Sequence, residues 1–252
     1  MTVLTIAAAQ SCSLAGDLQG NLQRHLRFMQ QAAERGVQLL VFPELSLTGY
    51  EPSLAAALAI TPDAEVLQPL SDLARELRLV TVVGLPIRRS PADPLLIGAL
   101  TFNAEGSRQL YSKQHLHEGE EQVFSPGAGG AALALGADTV ALSVCADFSH
   151  ASHALQAARS GANLYASGVL ISENGYPADS ALLQGYAREY DMAVLMANHG
   201  GTTGGWAAAG RSAIWAAGGR RVAAAAGMGD VLVIGRRVDG TWQGEVVEVE
   251  GL

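Results

Sequence analysis

The sequence has 252 residues, of which 49% are hydrophobic and 16% are charged, and its formal net charge is -8. This composition supplies enough apolar surface for a large core, so it excludes a disordered chain, and its acidity argues against a nucleic-acid partner or an anionic membrane. Two cysteines, Cys12 and Cys145, are too few for a disulfide framework, so we expect a reducing, cytoplasmic setting.

Apolar patterning predicts strands that alternate with helices in the first half of the chain. The opening stretch "MTVLTIAAAQ" lacks the basic region of a signal peptide, and residues 3–10 within it are typical of a strand buried on both faces. Apolar residues recur every three or four positions over residues 17–35, which predicts a helix. A second helix is predicted to begin at Thr61 and Pro62, as N-cap and first residue. Further strands are predicted over residues 38–44 and 80–87.

Hairpins and further strand–helix pairs are predicted in the second half. Residues 98–113 predict two strands about a turn, and "SAIWAAGGRRVAAAA" predicts a hairpin through Gly218 and Gly219. The other predicted elements are strands at 138–145, 163–167 and 192–198 and helices at 149–160 and 178–190. We therefore expect an α/β fold in which two layered mixed sheets form one domain, residues 1–252. No run of apolar residues is long enough to predict a helix that spans a membrane.

Three reactive side chains are predicted at the ends of strands. Glu44 closes "LLVFPE", Lys113 closes "RQLYSK" and Cys145 closes "TVALSVC". Sites in open α/β sheets form beyond the carboxyl ends of strands, so we expect these side chains to share one cleft. Taken singly, each has an ordinary structural interpretation: an exposed loop acid, a solvated edge charge and a small buried thiol.

Together, the three groups support attack of a thiolate on an amide carbonyl or a nitrile carbon. We expect an adjacent ammonium group and the N-terminus of the following helix to lower the pKa of the Cys145 thiol. Glu44 would accept the thiol proton and pass it to a departing amine, which requires a carboxyl group with a raised pKa. Lys113 and the backbone N–H of Ala146 would stabilise the oxyanion, at ~3 kcal/mol for one such donor.

These segments resemble a known family. The stretches "VFPELSLTGY", "YSKQHL…GEEQVFSPG" and "LSVCADFSH" look like the three signature segments of the nitrilase, or carbon–nitrogen hydrolase, superfamily, and they occur in the same order and with fitting spacing. The resemblance extends to "FNAEG", to the strand that ends at Asn198 and to the β-rich C-terminal part, so it covers nearly the whole chain.

The resemblance implies a four-layer α-β-β-α sandwich with two mixed β-sheets, a homodimer or larger homo-oligomer, and neither a metal nor an organic cofactor. It assigns Glu44 as general base, Lys113 as oxyanion stabiliser and Cys145 as the nucleophile that carries a thioester. Members of the family commonly have a second glutamate in the loop after the lysine. Here that residue is either Glu120 or Glu121, which would orient Lys113 or the substrate amide.

Three other residues are candidates for the substrate pocket. Tyr50 follows Glu44 closely and could line the entrance, and Asn198 ends a strand and so could face the same cleft. Trp206 lies in the glycine-rich stretch "NHGGTTGGWAAAGRS", which does not match a phosphate-binding loop and could instead supply a lid or a substrate wall.

The chain departs from the commonest family pattern after the cysteine. Many members have an arginine near a proline there, whereas this chain has Ser149 and His150. Because such an arginine can hold a substrate carboxylate, its absence argues against N-carbamoyl amino acids and dicarboxylate monoamides. The helical spacing of His150 and His153 is better explained by capping and packing than by substrate binding.

The sequence therefore predicts a cofactor-free thiol amidohydrolase that releases ammonia or an amine from a small amide. Hydrolysis of a nitrile, or acyl transfer by the same three groups, is the alternative within this chemistry. A catalytically silent member of the family that acts as a binding protein is the alternative outside it.

Overall fold

The computed structural model describes residues 3–252, so Met1 and Thr2 of the predicted first segment lie outside the described residues. The described strands are β1 (Val3–Gln10), β2 (Leu39–Val41), β3 (Val80–Ile87), β4 (Leu96–Phe102), β5 (Arg108–Ser112), β6 (Leu133–Leu135), β7 (Asp138–Val144), β8 (Leu164–Val169), β9 (Ala193–Asn198), β10 (Ala213–Trp215), β11 (Arg221–Ala224), β12 (Val231–Val238) and β13 (Thr241–Glu248). The described α-helices are α1 (Leu18–Glu34), α2 (Pro52–Leu58), α3 (Gln68–Leu77), α4 (Ala151–Arg159) and α5 (Tyr176–Glu189).

The strands form two mixed sheets with related topology. The first sheet has the order β13-β12-β1-β2-β3-β4-β5 and the second has the order β11-β10-β9-β8-β7-β6. In the first, β1, β2 and β3 run parallel and antiparallel strands flank them, and β7, β8 and β9 form the matching parallel centre of the second. The central strands of both sheets thus deliver their carboxyl ends to the same region.

Three apolar clusters hold the layers together. The inner cluster joins the facing sides of the two sheets, through residues such as Leu39 and Val82 from the first and Leu164 and Leu195 from the second. A second cluster packs α1 and α3 onto the outer face of the first sheet, and a third packs α4 and α5 onto the outer face of the second. The fold is therefore the expected four-layer α-β-β-α sandwich. Within the described residues, no helix combines the length and apolar character that crossing a membrane requires.

Most predicted elements are present, but several boundaries differ. The prediction that Thr61 and Pro62 begin a helix is wrong, because α3 begins at Gln68 after a short 3₁₀ turn over Glu65–Leu67. The helix α2 and the strand β6 were not predicted from the sequence. The strand predicted over residues 38–44 ends at Val41, since the chain leaves the sheet there.

Candidate active site

A cavity of about 240 Å³ lies beyond the carboxyl ends of β2, β7 and β8. The predicted site residues that line it are Glu44, Tyr50, Glu120, Cys145, Ala146 and Trp206. Two of the three residues expected to share a cleft, Glu44 and Cys145, thus line one cavity, and Lys113 does not line it but contacts Glu44.

The chain that carries Glu44 crosses between the two sheets. Gly84 of β3 and Gly168 of β8 pack against it from opposite sides, and a Cβ at either position would overlap a backbone oxygen of the segment 42–43. The buried ring of His199 donates a hydrogen bond from Nε2 to the Glu44 carbonyl oxygen at 2.7 Å, which ties β9 to this segment. These contacts fix the position from which the Glu44 carboxyl group reaches the cavity.

A second buried histidine supports the same segment from the side of α1. The His25 ring stacks on Phe42 at 4.0 Å between centroids and bonds to the Asn21 carbonyl oxygen at 2.7 Å and to Ser46 Oγ at 3.0 Å. Burial lowers the pKa of His25 from 6.5 to about 4, since the protonated ring would lose its hydration. His25 is therefore neutral in the folded protein at neutral pH.

This burial predicts a loss of stability on acidification. Between pH 6.5 and pH 4, His25 binds a proton in the unfolded chain but not in the folded protein. The stability that neutral His25 contributes is therefore complete above pH 6.5 and is lost as the pH falls towards 4. The total loss is ~3 kcal/mol. We expect the free energy of unfolding of wild type to fall more between pH 7.5 and pH 4.5 than that of His25→Gln, by ~2 kcal/mol in urea titrations. Parallel pH dependences would show that His25 does not titrate as described.

Lys113 is buried between two carboxylates. Its Nζ donates to Glu44 Oε1 at 2.6 Å and to both carboxylate oxygens of Glu120 at 2.8 Å, and the residue is only 1% exposed. Lys113 thus belongs to the same buried cluster as Glu44. The alternative interpretation, that Lys113 is a solvated charge at a strand edge, is wrong.

Of the two candidates for the second glutamate, Glu120 and not Glu121 contacts Lys113. Besides Lys113, its carboxylate accepts hydrogen bonds from Tyr50 Oη and from the His117 backbone N–H, each at 2.8 Å. Glu121 is exposed and accepts a hydrogen bond from the Gly119 N–H. Tyr50 thus reaches the cavity and holds Glu120 in place.

Cys145 lies where β7 turns into a 3₁₀ segment over Cys145–Ser149. Its φ of 43° is in the left-handed region, which is uncommon for a residue with a side chain and is frequent at functional turns. The thiol is half-buried, and Sγ lies 3.7 Å from the Leu170 carbonyl oxygen. The turn therefore presents the sulfur to the cavity with few competing contacts.

Asp147 connects the two segments that carry the lysine and the cysteine. Its Oδ1 accepts from the backbone N–H groups of residues 114–115 at 2.9 and 2.8 Å, and its Oδ2 accepts from the Val144 N–H at 3.0 Å and from Tyr111 Oη at 2.7 Å. This fully buried carboxylate is a positioning residue that the sequence analysis missed. An acid two positions after the cysteine was the signal that could have identified it.

The comparison with family models decides the identity of the fold. The model described as carbon–nitrogen hydrolase matches residues 5–239. The chain belongs to the carbon–nitrogen hydrolase family. Two named relatives share part of this sequence: a glutamine-dependent NAD(+) synthetase from Thermotoga maritima, 29% identical over 153 residues, and a nitrilase from Pyrococcus abyssi, 30% identical over 152 residues.

The solved structures extend this family relationship over nearly the whole chain. The amidase from Nesterenkonia sp. AN1 in complex with acrylamide superposes with a TM-score of 0.84 at 27% identity, covering 94% of this chain and 91% of that one. A Saccharomyces cerevisiae member of branch 10 of the nitrilase superfamily superposes with a TM-score of 0.86 at 22% identity, covering 93% and 89%, and supports the fold. The sequence matches cover 58% of this chain but only 26% of the synthetase and 57% of the nitrilase.

In this member of the carbon–nitrogen hydrolase family, burial sets the proton affinity of the buried acidic and basic groups. Burial raises the pKa of Glu44 to about 7, although the positive charge of Lys113 opposes the shift. Burial would lower the pKa of Lys113, but attraction to Glu44, Cys145 and Glu120 outweighs it, so the pKa is raised and the ammonium form persists. Glu44 therefore gains and loses a proton near neutral pH while Lys113 stays charged.

The prediction of a lowered Cys145 pKa is wrong for the free protein. Burial and the negative charge of Glu44 raise the pKa of the thiol well above its usual value, and the charge of Lys113 only partly offsets them. The α-helix expected to follow the cysteine begins at Ala151, after the 3₁₀ turn, so its N-terminus is displaced from the sulfur. The thiol is thus protonated at rest and needs a base.

The remaining predicted pocket residues divide into two groups. Ala146 and Trp206 line the cavity; Trp206 is 49% exposed and contacts His117 edge to face at 6.5 Å between centroids. Asn198 does not line it: its side chain bonds to the Ile171 N–H and carbonyl groups and to the Gly210 carbonyl at 2.8 to 3.0 Å. Since Ile171 does line the cavity, Asn198 positions the cavity wall and does not contact the space itself.

The histidines after the cysteine pack away from the cavity. His150 stacks on His115 at 3.8 Å between centroids, and His153 bonds to Tyr111 Oη at 2.9 Å and to Tyr165 Oη at 2.8 Å. These contacts agree with the predicted packing role of both histidines. The predicted capping role is wrong for the side chains: His150 is the N-cap residue of α4, but its side chain makes no capping hydrogen bond, and the His153 ring bonds to tyrosines instead. Across residues 3–252, no group of three or more His, Cys, Asp or Glu side chains is arranged to hold a metal ion.

Proposed function

We propose that the protein is a thiol amidohydrolase that cleaves the C–N bond of a small amide through a thioester on Cys145. The observation that supports this most strongly is the contact of the Lys113 ammonium with both Glu44 and Glu120, beside a cavity that Glu44, Glu120 and Cys145 line together. Base, positive charge and nucleophile, distant in the sequence, lie together as the chemistry requires.

In the acylation step, the carboxylate oxygen of Glu44 that does not bind Lys113 accepts the thiol proton. Oε1 of Glu44 accepts from Lys113, whereas its Oε2 is buried and has no hydrogen-bond partner among the described residues. As Sγ of Cys145 attacks the amide carbon, the thiol proton passes to this carboxylate, whose pKa of about 7 matches that task. Glu44 then gives the proton to the nitrogen, the C–N bond breaks, and ammonia or an amine leaves.

Lys113 and the turn after the cysteine stabilise the oxyanion. At rest, the Lys113 donors are directed to Glu44 and Glu120, so the side chain first acts through its charge. Protonation of Glu44 weakens its bond to Nζ and frees one N–H for the developing oxyanion. The N–H of Ala146, in the first turn after the nucleophile, is the second donor, and one such donor is typically worth ~3 kcal/mol.

Deacylation repeats the sequence with water. Ammonia or the amine departs, water takes its place, and Glu44 accepts a proton from it as the oxygen attacks the thioester carbon. The carbon–sulfur bond then breaks, the proton returns to Cys145, and a carboxylic acid leaves. Glu120, fixed by Tyr50 and by the His117 N–H, holds Lys113 throughout.

A similar solved structure supports the role of the cysteine. In a mutant of the amidase from Nesterenkonia sp. AN1, the acetamide moiety of fluoroacetamide is covalently added at the active-site cysteine. That chain is 27% identical to this one, and the match covers 92% of this chain and 89% of that one. The nitrilase from Pyrococcus abyssi favours a second candidate, hydrolysis of a nitrile by the same groups. Acyl transfer and a catalytically silent binding protein are the remaining alternatives.

An ammonia-release assay tests this proposal. Purified protein is given a panel of aliphatic and aromatic amides, ureido acids and nitriles, with and without hydroxylamine. We expect ammonia and the free acid from amides at a higher kcat/KM than from nitriles or ureido acids. A hydroxamate formed in preference to acid would identify an acyl transferase, and no product from any compound would favour the silent binding protein.

We also propose that residues 1–252 form one carbon–nitrogen hydrolase domain, which the match over residues 5–239 supports. A homodimer or larger homo-oligomer and a cytoplasmic location stay predictions. Light scattering during size-exclusion chromatography measures the mass of the assembly and tests the former.

A further inference from the structure

The cavity carries an additional negative charge that the proposed catalytic steps do not use. Asp179, in the first turn of α5, lines the cavity together with Cys145 and Glu44. Its carboxylate accepts no hydrogen bond from any described residue, and Oδ2 is turned back towards Gly175 at the start of the helix. The side chain is half-buried, so its charge is only partly screened by water.

No unengaged cation balances Asp179 within the described lining of the cavity. The lining includes no arginine or lysine, and Lys113, behind it, is shared by Glu44 and Glu120. Burial raises the pKa of Asp179, and attraction to His117 opposes that shift only in part. With Oε2 of Glu44 also unpartnered, the cavity repels anions and attracts cations.

Aromatic side chains complete the features that suit a cation. The indole of Trp206 and the phenol ring of Tyr50 line the same cavity as Asp179. A cavity lined by both a carboxylate and aromatic rings suits an alkylammonium group, since ring faces attract positive charge. The volume of about 240 Å³ restricts the occupant to a short acyl chain.

We propose that the preferred substrates are short amides whose acyl chain carries an ammonium group, which pairs with Asp179 while the amide carbon meets Cys145. The inference rests on the proposed amidohydrolase function and names its substrate class. It also accounts for the serine and histidine at positions 149–150, where many members of the family have an arginine, because a carboxylate-binding group would be of no use here.

Three amides that differ only in the terminal group test the inference. They are 3-aminopropanamide, which is cationic, butanamide, which is neutral and of the same length, and succinamate, which is anionic. We expect kcat/KM for wild type to be about tenfold higher for 3-aminopropanamide than for butanamide and lowest for succinamate, with the preference decreasing as salt is added. Asp179→Asn should bring the first ratio close to one.

A matched variant controls for the loss of one negative charge. Glu118→Gln removes an exposed carboxylate that follows the cavity-lining His117 in the sequence but does not itself line the cavity, and it should retain the preference for 3-aminopropanamide. A wild-type ratio at or below one, or an Asp179→Asn ratio equal to that of wild type, overturns the inference.

Binding separates this inference from the proposed function. Calorimetry with Cys145→Ala measures the dissociation constants of the same three amides without turnover, and the same order of affinity is expected. If no amide is hydrolysed by wild type but the cationic compound still binds best, the amidohydrolase proposal fails and the cation site stands. If hydrolysis occurs and no preference is found by either method, the cation site fails alone.

Discussion

Cys145→Ala is expected to lower the rate of ammonia release by on the order of 10⁴-fold or more, because no other group can form the thioester. The fold should survive, since the thiol is half-buried and its hydrogen bond to the Leu170 oxygen is long, at 3.7 Å from Sγ. Steady-state kinetics with a hydrolysed amide measures the loss, and circular dichroism checks the fold.

The second cysteine provides the matched control. Cys12 is also half-buried, burial raises the pKa of its thiol to about 11, and it does not line the cavity. Cys12→Ala should therefore keep wild-type kcat/KM. A Cys145→Ala protein that releases ammonia at the wild-type rate would remove the nucleophile from the account.

Lys113→Met is expected to abolish activity and to cost ~3–5 kcal/mol of stability, because two buried carboxylates lose the cation between them. Without that cation the pKa of Glu44, which burial already raises, rises further above that of an unfolded glutamate. The folded variant then binds protons that the unfolded chain has released, so its stability declines as the pH rises from 5 to 8. Urea unfolding over this range measures the decline, which should be steeper than for wild type.

A double variant separates the two consequences of losing the lysine. Lys113→Met with Glu120→Gln leaves one buried carboxylate instead of two, so part of the lost stability should return. Activity should stay absent, since neither the positive charge nor the oxyanion donor is restored. Recovery of activity together with stability would mean that Lys113 acts only as a structural ion-pair partner.

Much of the fold follows from local patterns in the sequence. The apolar run of β1, the apolar stripe of α1 and the turn between β4 and β5 are each determined by neighbouring residues, and all are present. The prediction failed where the path of the chain depends on distant partners, as it does at the end of β2. The chain after Val41 leaves its sheet because Gly84 and Gly168 admit its backbone between the layers, and no local pattern predicts that crossing.

The three candidate residues could be predicted because each follows a strand: Lys113 and Cys145 come directly after β5 and β7, and Glu44 lies three residues after β2. A further signal was available in the composition: Lys113 is the only lysine in the sequence, and all other basic side chains apart from histidine are arginines. A compact ammonium fits between two carboxylates where the planar guanidinium group would not, so this position favours lysine.

The supporting residues could not be predicted, because their partners are remote. Asp147 accepts a hydrogen bond from a backbone N–H 33 positions away, and His199 bonds to a carbonyl group 155 positions away. Asp179 lines the cavity only because of the way α5 packs. The proton affinity of Cys145 was misjudged for the same reason. It depends on burial and on Glu44, and burial is a property of the assembled layers.

Alkylation by 2-chloroacetamide, followed by peptide mass analysis, tests most directly whether Glu44, Lys113 and Cys145 act as one nucleophilic centre. The reagent has the shape of a small amide, and Cys12 in the same molecule reports the reactivity of a half-buried thiol outside the cavity. We predict that Cys145 is alkylated ~100-fold faster than Cys12, with saturation, and that Glu44→Gln removes most of this advantage. Equal rates at the two cysteines, or an unchanged Cys145 rate in Glu44→Gln, would contradict the account.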